Sequence, residues 1–376
     1  MGRRVEVMTT TQYYDAPSVP GIHRLPQPPR TRIGRLFRKA LWIAAIPLRT
    51  YDYGIMWLLH SRSYARRLAS ELGDCVVLST FPPLCSHLTA LAVKNRSKDR
   101  KRVTWIADFR DPMIGNPFRG FNAVTRMLDR RLERVIIRKA DAVLVNTDSL
   151  AGELRQRYPE QAGKISVLWN GYDPAEQFGP LPIPPRDFRA LAHVGTMYGG
   201  RHPAILIDSF DRLRLQGCPS LDKIRLVQIG PADLGDMPNR ERFLEMVREG
   251  RVEMGGERVP RADAMRAIAE ADLLLLLDLN IADESTQVPA KIFDYVRAGR
   301  PILLFTNRNS PSSEIIAKCG VPHRIVYRDD SADRIDAQVR EFLSLPSDAV
   351  AASPWFLERF DGARQAQELG RLIGTL

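Results

Sequence analysis

The stretch DLLLLLD at residues 272–278 sets five consecutive leucines between two aspartates. Strands that are apolar throughout are typical of parallel sheets, because helices cover both faces of such a sheet and leave neither side to water. The stretch therefore predicts a buried strand of an α/β domain.

Apolar runs of the same kind alternate with helical stretches from residue 191 onward. The further strands predicted in this half are LAHVG (191–195), IRLVQIG (224–230), VEMGG (252–256), PILLF (301–305) and HRIVY (323–327). Strands that alternate with helices form doubly wound sheets, and such sheets bind ligands at the carboxyl ends of their strands. The second half is therefore predicted to be a doubly wound α/β domain with a ligand at that edge.

The first half repeats the pattern less regularly. Its predicted strands are RVEVMTT (4–10), CVVLSTF (75–81), RVTWIADF (102–109), AVLVNT (142–147) and KISVLWNG (164–171), with a proline-rich loop after the first of them. A second proline-rich segment lies between the halves, where its prolines disfavour regular structure. The sequence thus predicts an N-terminal domain at 1–171, a linker at 172–188, a second domain at 189–352 and one long helix at 353–376 with Ser353 as its N-cap.

The net charge of +11 belongs to the first half, since residues 191–376 are slightly acidic. A basic half predicts an anionic partner, namely a membrane surface, phosphate groups or nucleic acid, although solvated arginines alone would give the same charge. Residues 31–49 are basic with an apolar helical face, which predicts either a helix on an anionic membrane surface or a surface helix packed on its own domain. Nucleic acid is the least favoured partner, because no aromatic residues interleave the basic runs.

The cysteines and the apolar runs indicate in which cellular compartment the protein is expected. The four cysteines are scattered with no C-x-x-C pair, which fits a reducing compartment and argues against a zinc site. No secretory signal is apparent, and the apolar run ALWIAAIPL at 40–48 is well below the ~18 residues that cross a bilayer. A cytoplasmic protein is expected, peripheral to the inner face of the membrane.

Six motifs follow one another within residues 75–305: STFPPLCSHLTALAVK, VTWIADFRDPM, ADAVLVNTDSLAGELRQRYPE, KISVLWNGYDP, LAHVGTMYGGRHPAILIDSF and ADLLLLLD…VPAKIFDYVRAGRPIL. In wording and order they resemble the GT-B glycosyltransferases of the family-4 type. The resemblance implies two Rossmann-like doubly wound domains facing a central cleft. It also implies transfer of a sugar from a nucleoside-diphosphate sugar to a hydroxyl of a lipid-linked, polysaccharide or other glycan acceptor, with retention of configuration. No metal is expected, and no cofactor beyond the nucleotide-sugar substrate.

The donor site implied by the resemblance lies in the second half. Lys291 and Asp294 stand one turn apart near a helix start, where free N–H groups and the helix dipole attract anions. The lysine is expected on the diphosphate and the aspartate on the ribose hydroxyls, with a surface ion pair as the alternative. Gly195 and Thr196 follow the first strand of this domain. Arg201 matches the basic residue that the family sets against the diphosphate, or is a surface charge at a helix entry.

Two departures from the family accompany these matches. The first of the family's paired glutamates would fall at Thr286, and the nearest acid is Glu284. Backbone amides near Thr286 are therefore expected to hold the sugar or phosphate. The family's first strand and its glycine-rich loop normally precede residues 4–10, and this first strand–helix unit is expected to be missing. A non-catalytic GT-B-like partner of a glycan assembly pathway is therefore the alternative function.

Arg110 and Asp111 end the strand VTWIADF and are the predicted catalytic pair. They take the place of a His-Asp step in much of the family, so they are expected to orient the sugar and the acceptor, with a turn-closing role for Asp111 as the alternative. The chemistry implied by the resemblance needs positioning and charge stabilisation more than a protein base, because the leaving diphosphate oxygen helps to deprotonate the acceptor. His87 is predicted to be a cap or a packed surface residue.

Overall fold

The computed structural model describes residues 5–10, 20–25, 55–96, 103–116, 123–279 and 286–376. The chain divides into two compact units, one of residues 1–168 with 370–376 and one of residues 169–369. The basic stretch at 31–49 and Glu284 lie outside the described residues.

The first unit contains two parallel sheets. A small sheet pairs β1 (Val7–Thr10) with β2 (Ile22–Leu25). The larger sheet places its four strands side by side in chain order: β3 (Cys75–Phe81), β4 (Val103–Phe109), β5 (Ala142–Val145) and β6 (Ile165–Val167). Its helices are α1 (Ile55–Leu72), α2 (Leu84–Arg96), α3 (Ala123–Lys139) and α4 (Asp148–Arg157). The five strands predicted in this half are confirmed.

The prediction of a proline-rich loop after the first strand is wrong at residues 22–25, because these residues form β2. These four residues lie between prolines, so the sequence pattern offers no periodicity to recognise. Gly21, with φ of 80°, turns the chain just before β2, and its carbonyl accepts a hydrogen bond from Val7 N at 2.7 Å. The turn brings β2 into register with β1.

The second unit is built on a six-stranded parallel sheet in the spatial order β12-β11-β10-β7-β8-β9. In chain order its strands are β7 (Arg189–Val194), β8 (Ile224–Ile229), β9 (Val252–Met254), β10 (Leu273–Leu277), β11 (Ile302–Thr306) and β12 (His323–Tyr327). Its helices are α5 (Ala204–Leu215), α6 (Arg240–Arg248), α7 (Arg261–Ala269), α8 (Lys291–Ala298), α9 (Pro311–Lys318), α10 (Ala332–Leu343) and α11 (Pro354–Arg359). A last helix, α12 (Gly362–Thr375), begins in the second unit, and its residues from 370 onward belong to the first. All six strands predicted in this half are confirmed.

Alternate leucines of β10 enter two separate cores. Leu273, Leu275 and Leu277 pack in a cluster with residues of α5, α6 and α10. Leu274 and Leu276 pack in a second cluster with residues of α7, α8, α9 and α11. Because side chains alternate across a strand, helices must cover both faces of the sheet, which is the doubly wound arrangement predicted from the leucine run.

The proline-rich segment 172–188 contains neither helix nor strand and lies within the second unit. It is bound to the helices of that unit through its backbone. Leu181 N donates to Ala269 O at 3.1 Å, and the Arg297 guanidinium donates to Glu176 O at 2.6 Å. The backbone groups of an irregular segment are thereby satisfied without a sheet.

The helix predicted at 353–376 is two helices, α11 and α12, so the single long helix is wrong. Its predicted start is confirmed, because the Ser353 hydroxyl accepts a hydrogen bond from Phe356 N at 3.2 Å. The helical conformation is interrupted where Asp361 forms a β-bridge with Tyr172. Gly362 N donates to Tyr172 O at 2.9 Å, and a Cβ on Gly362 would lie 2.7 Å from that oxygen. Backbone pairing with residue 172 thus replaces one turn of helix.

Gly299 and Gly250 offer a matched test of backbone packing. Each follows a helix, with φ of 71° at both positions. A Cβ on Gly299 would lie 2.5 Å from Val350 O, whereas one on Gly250 would meet nothing within 4 Å. Gly250→Ala is expected to lower the free energy of unfolding by about 1 kcal/mol through φ strain alone. Gly299→Ala is expected to lower it by about 3 kcal/mol or more, because a backbone clash adds to the strain.

Urea unfolding of the two variants and the parent protein measures the difference. Equal destabilisation by the two substitutions would contradict the close approach of Gly299 to Val350.

Candidate functional site

In the sheet of the second unit, the order in which strands are added reverses between β7 and β10. The chain runs from β7 to β8 and β9 on one side, then returns to lay down β10, β11 and β12 on the other side. The loops that leave β7 and β10 therefore part at the carboxyl edge. Open α/β sheets bind their ligands in the crevice at such a switch point.

Lys291, the first residue of α8, reaches the end of β7 at this switch point. Its Nζ lies 2.8 Å from Nε2 of His193 on β7. A Cβ atom on Gly195 would lie 3.0 Å from the same Nζ, and Gly195 has φ of 121°. Glycine at 195 therefore serves both the backbone turn and the space that the lysine occupies. The structure thus brings together two of the predicted donor residues, Gly195 and Lys291.

His193 belongs to a buried hydrogen-bonded chain that sequence analysis missed. Its Nδ1 lies 2.7 Å from Oε1 of Gln228, its direct neighbour in the register of β7 and β8. The Gln228 amide nitrogen donates to Gly195 O at 2.8 Å and to Gly230 O at 2.9 Å. The available signal was one uncharged or weakly basic polar residue inside each of two adjacent, otherwise apolar strands.

Burial governs the protonation of both members of the Lys291–His193 pair. It lowers the pKa of Lys291 to about 7, and the charge of Arg201 lowers it further in the same direction. Burial also holds the pKa of His193 well below its ordinary value, with the charge of Lys291 as the next cause. Near neutral pH the imidazole is therefore uncharged and the lysine is poised between its two forms.

Arg201 lies in the loop after β7 as predicted, close enough to act electrostatically on both Lys291 and His193. Its Nη1 donates to the Tyr198 hydroxyl at 2.8 Å, while its buried Nε has no hydrogen-bond partner among the described residues. Two glycines precede it with positive φ, and Gly200 N donates to the Asp236 carboxylate at 2.6 Å. The loop is thus fixed by its backbone, and part of the guanidinium remains unsatisfied.

Arg328, just beyond β12, is a third cation at this edge, and sequence analysis missed it. It donates to the backbone oxygen of Asp278 at the end of β10, at 2.7 Å, and its buried Nε has no partner in the part of the chain that the structure describes. Burial lowers the pKa of Arg328 to about 10, and the charge of Asp278 acts in the opposite direction. The pKa of His202 in the β7 loop is lowered by burial and also by the charge of Arg328. No motif signals Arg328, because its role depends on how strands are ordered in space.

Asp294 lies one turn along α8 from Lys291, and the two do not form the ion pair considered as an alternative. Its carboxylate lies 3.7 Å from the Arg261 guanidinium, while Lys291 contacts His193. Burial raises the pKa of Asp294, and Arg261 partly offsets this effect. The carboxylate is therefore retained near the lysine without neutralising it.

The remaining predicted donor residues lie on the loops of the same edge. Thr196 is half-buried in the loop after β7, and Thr286 is buried before α8. Pro289 O accepts from Ile292 N at 3.0 Å, so the turn begins at the proline just ahead of the helix. No side-chain cap is present at Ala290, the N-cap residue of α8, which leaves its first amides without a side-chain acceptor.

Arg110 and Asp111 lie at the carboxyl end of β4 in the first unit, as predicted. Arg110 Nε donates to the Asp108 carboxylate at 2.8 Å. Thr80 donates to the same carboxylate oxygen at 3.2 Å, and the other oxygen of Asp108 is buried with no partner within the described ranges. Asp108 was missed because it stands inside the strand pattern, yet it is the acid that positions Arg110.

His87 is packed, but its predicted place at the surface is wrong, since it is fully buried. Its Nδ1 lies 2.8 Å from the Ser79 hydroxyl, and its ring centroid lies 4.8 Å from that of Phe109. Burial lowers its pKa to about 3. A histidine that stays neutral in a core contributes packing.

Within the described ranges, no three His, Cys, Asp or Glu side chains are grouped closely enough to hold a metal ion. The same part of the chain has no helix that is long and apolar enough to cross a membrane.

Solved structures share the fold over nearly the whole chain. Sucrose-phosphate synthase from Thermosynechococcus elongatus aligns with a TM-score of 0.65 at 15% identity, covering 99% of this chain and 88% of that one. A trehalose-6-phosphate synthase, studied for glycosyl transfer with retention, aligns with a TM-score of 0.57 at 14% identity, covering 97% and 88%. A mutant of TarM from S. aureus, in complex with Fondaparinux, alpha-GlcNAc-glycerol and UDP, gives 0.54 at 12% identity over 84% and 58%. The chain therefore has the GT-B fold of glycosyltransferases, as predicted.

A family model matches one part of the chain. Residues 2–176, just under half of the chain, match the model described as Glycosyltransferase Family 4. No curated protein matches the chain significantly. The expectation that a first strand–helix unit is missing stays a prediction.

Proposed function

We propose that the protein is a retaining glycosyltransferase that moves a sugar from a nucleoside-diphosphate sugar to a hydroxyl of a lipid-linked, polysaccharide or other glycan acceptor. It would need neither metal nor cofactor. The observation that carries the proposal is the convergence of Lys291, Arg201 and Arg328 at one sheet edge. None of the three forms an ion pair with a carboxylate of the described residues. The match to the Glycosyltransferase Family 4 model supports sugar transfer as the reaction class.

Three basic side chains that form no ion pair within the described part of the chain suit the departure of a diphosphate. Negative charge grows on the leaving diphosphate oxygen as the sugar bond breaks, and positive groups fixed in a partly dry site stabilise that charge more than water does. The positive end of the α8 dipole, whose N-cap residue provides no side-chain cap, adds a second source of positive potential. Lys291 contributes to both sources of positive potential, because its side chain is basic and it is the first residue of the helix.

Asp294 is assigned to the ribose. Among the described residues, no donor lies closer to its carboxylate than the 3.7 Å contact with Arg261, so its oxygens are assigned to two neighbouring hydroxyls. Ribose hydroxyls donate hydrogen bonds to a carboxylate in many nucleotide sites. Because burial raises the pKa of Asp294, this interaction should weaken earlier on acidification than an exposed aspartate would.

The acceptor side is assigned to the first unit. Arg110 is held by Asp108, and Asp111 follows at the carboxyl end of β4. A fixed guanidinium beside a carboxylate can orient sugar and acceptor hydroxyls, which is the positioning that this chemistry needs.

Lys291→Ala and Arg201→Ala are each expected to weaken binding of the matching nucleoside diphosphate about tenfold or more, because each removes a charged donor from the anion. Calorimetry and thermal shift with UDP, GDP, ADP and dTDP and their common sugars identify the base and measure the loss. Arg110→Ala is the contrasting variant. It should keep diphosphate affinity and lower turnover.

Unchanged affinity in both Lys291→Ala and Arg201→Ala would remove the proposed donor site. Tight binding of a nucleotide sugar by the parent protein with no transfer to any acceptor would favour a non-catalytic GT-B-like partner, the case for which is the threonine at position 286 in place of a glutamate.

A peripheral position on the inner face of an anionic membrane is also proposed, and α3 supports it. Four arginines of this helix line a surface hollow of about 350 Å³ together with Ala123 and Met127: Arg126, Arg130, Arg131 and Arg134. Both acids of the helix are buried, and Glu133 accepts from Arg157 and Tyr158 at 2.9 Å each. The outer face of α3 is therefore cationic, although the helix itself contains acids.

The double substitution Arg130→Ser with Arg134→Ser is expected to weaken binding to phosphatidylglycerol-containing vesicles about thirtyfold, since each cation near an anionic surface contributes about 1 kcal/mol. Vesicle sedimentation at low salt measures this loss. Arg248→Ser with Arg258→Ser removes the same charge from exposed positions of the second unit and serves as the control. Equal losses in the two double variants, or none, would contradict a role for α3.

A further inference from the structure

The orientation of the Gln228 side chain is fixed by its surroundings. The two contacts of its amide nitrogen are backbone carbonyl oxygens, Gly195 O and Gly230 O, at 2.8 and 2.9 Å. Carbonyl oxygens only accept hydrogen bonds, so the side-chain atom that faces them must be the NH₂ group. The amide oxygen of Gln228 is then the atom that faces His193.

This orientation also fixes the tautomer of His193. The Gln228 oxygen, 2.7 Å from Nδ1, can only accept, so Nδ1 carries the hydrogen. A neutral imidazole then has a bare lone pair at Nε2, which lies 2.8 Å from Lys291 Nζ. An imidazolium would bring an N–H against the ammonium instead. The pair is satisfied when the lysine is the only charged member.

The acceptor that holds Lys291 is thus neutral, which is unusual for a partly buried ammonium. The charged group that acts on Lys291 from the β7 loop is Arg201, which repels it. The carboxylates of the surrounding elements have other partners: Asp294 faces Arg261, Asp236 accepts from Gly200, and Asp278 accepts from Thr306 and Ser310.

We propose that His193 is the positioning residue for Lys291. The neutral imidazole of His193 accepts a hydrogen bond from the lysine ammonium and leaves its charge unneutralised. An arriving diphosphate therefore meets a full positive charge, and it draws a proton from solvent onto Nζ wherever the lysine is uncharged. The inference rests on the proposed function and deepens it, since it makes donor binding proton-coupled. The balance is one proton taken up from water or buffer onto Nζ, with no bond made or broken elsewhere. The lowered pKa of Lys291 is consistent with such coupling.

Three substitutions at one position separate the possible roles of His193. Phenylalanine keeps a ring and removes the acceptor, glutamine supplies a neutral acceptor, and glutamate supplies a charged one. The ε-carbon shift of ¹³C-labelled Lys291, assigned by its absence in Lys291→Arg, follows the protonation of this side chain directly in the ligand-free protein.

The parent protein should show Lys291 titrating near pH 7. His193→Phe should move that titration down by about 1–2 pH units, because the charged form loses a hydrogen bond, and His193→Gln should largely restore it. His193→Glu should move it up by about 2 units, because an opposite charge favours the ammonium. Titration of the parent lysine above pH 9, or one common titration in all three variants and the parent, would overturn the inference. The parent measurement decides even where a buried substitution fails to fold.

A second arm separates this inference from the proposed function. Calorimetry of the parent protein with the diphosphate that binds, in two buffers of different ionisation enthalpy at pH 8, should show net proton uptake that Lys291→Arg abolishes. His193→Glu should bind about tenfold more weakly at pH 6.5, since its carboxylate competes for the charge. Binding without proton uptake would contradict the coupling. Absence of binding by any nucleoside diphosphate would contradict the proposed function, while the lysine titrations would still judge the role of His193.

Discussion

A cation held at a sheet switch point without a counter-charge is the feature on which the proposed site depends. Lys291 reaches from the start of α8 to the end of β7, where a neutral histidine accepts its hydrogen bond at 2.8 Å. Keeping a positive charge in a partly dry place costs free energy unless an anion arrives, so the site is unfavourable when empty and favourable when occupied. Arg201 and Arg328 share this condition, since each has a buried Nε with no partner among the residues that the structure describes.

The doubly wound sheet holds the elements that carry this site in fixed positions. Both faces of β10 pack in separate cores, so close packing fixes the position of this strand beside β7. Tyr295 anchors α8 to β7 from one turn beyond the lysine, because its hydroxyl accepts from Val194 N at 2.8 Å. The helix that carries Lys291 and the strand that carries His193 are therefore tied at two points.

Much of this could be predicted from sequence, because it depends on local pattern. The leucine run defines β10, its position among five similar runs defines the sheet, and a helix start after Pro289 defines the place of Lys291. His193 and Gln228 could not be assigned in the same way. Each is one polar residue in an apolar strand, and only the register of β7 with β8 makes them neighbours. Arg328 depends on strand order, and the break between α11 and α12 depends on pairing with residue 172, so neither leaves a local signal.

The central claim is that a nucleoside diphosphate binds at the switch point between β7 and β10. A crystal structure of the protein with the diphosphate that stabilises it most tests this claim directly. The account predicts phosphate oxygens within hydrogen-bond distance of Lys291 Nζ at the start of α8, with the ribose beside Asp294. A diphosphate bound away from this edge, with the Lys291–His193 contact undisturbed and no anion beside it, would contradict the account.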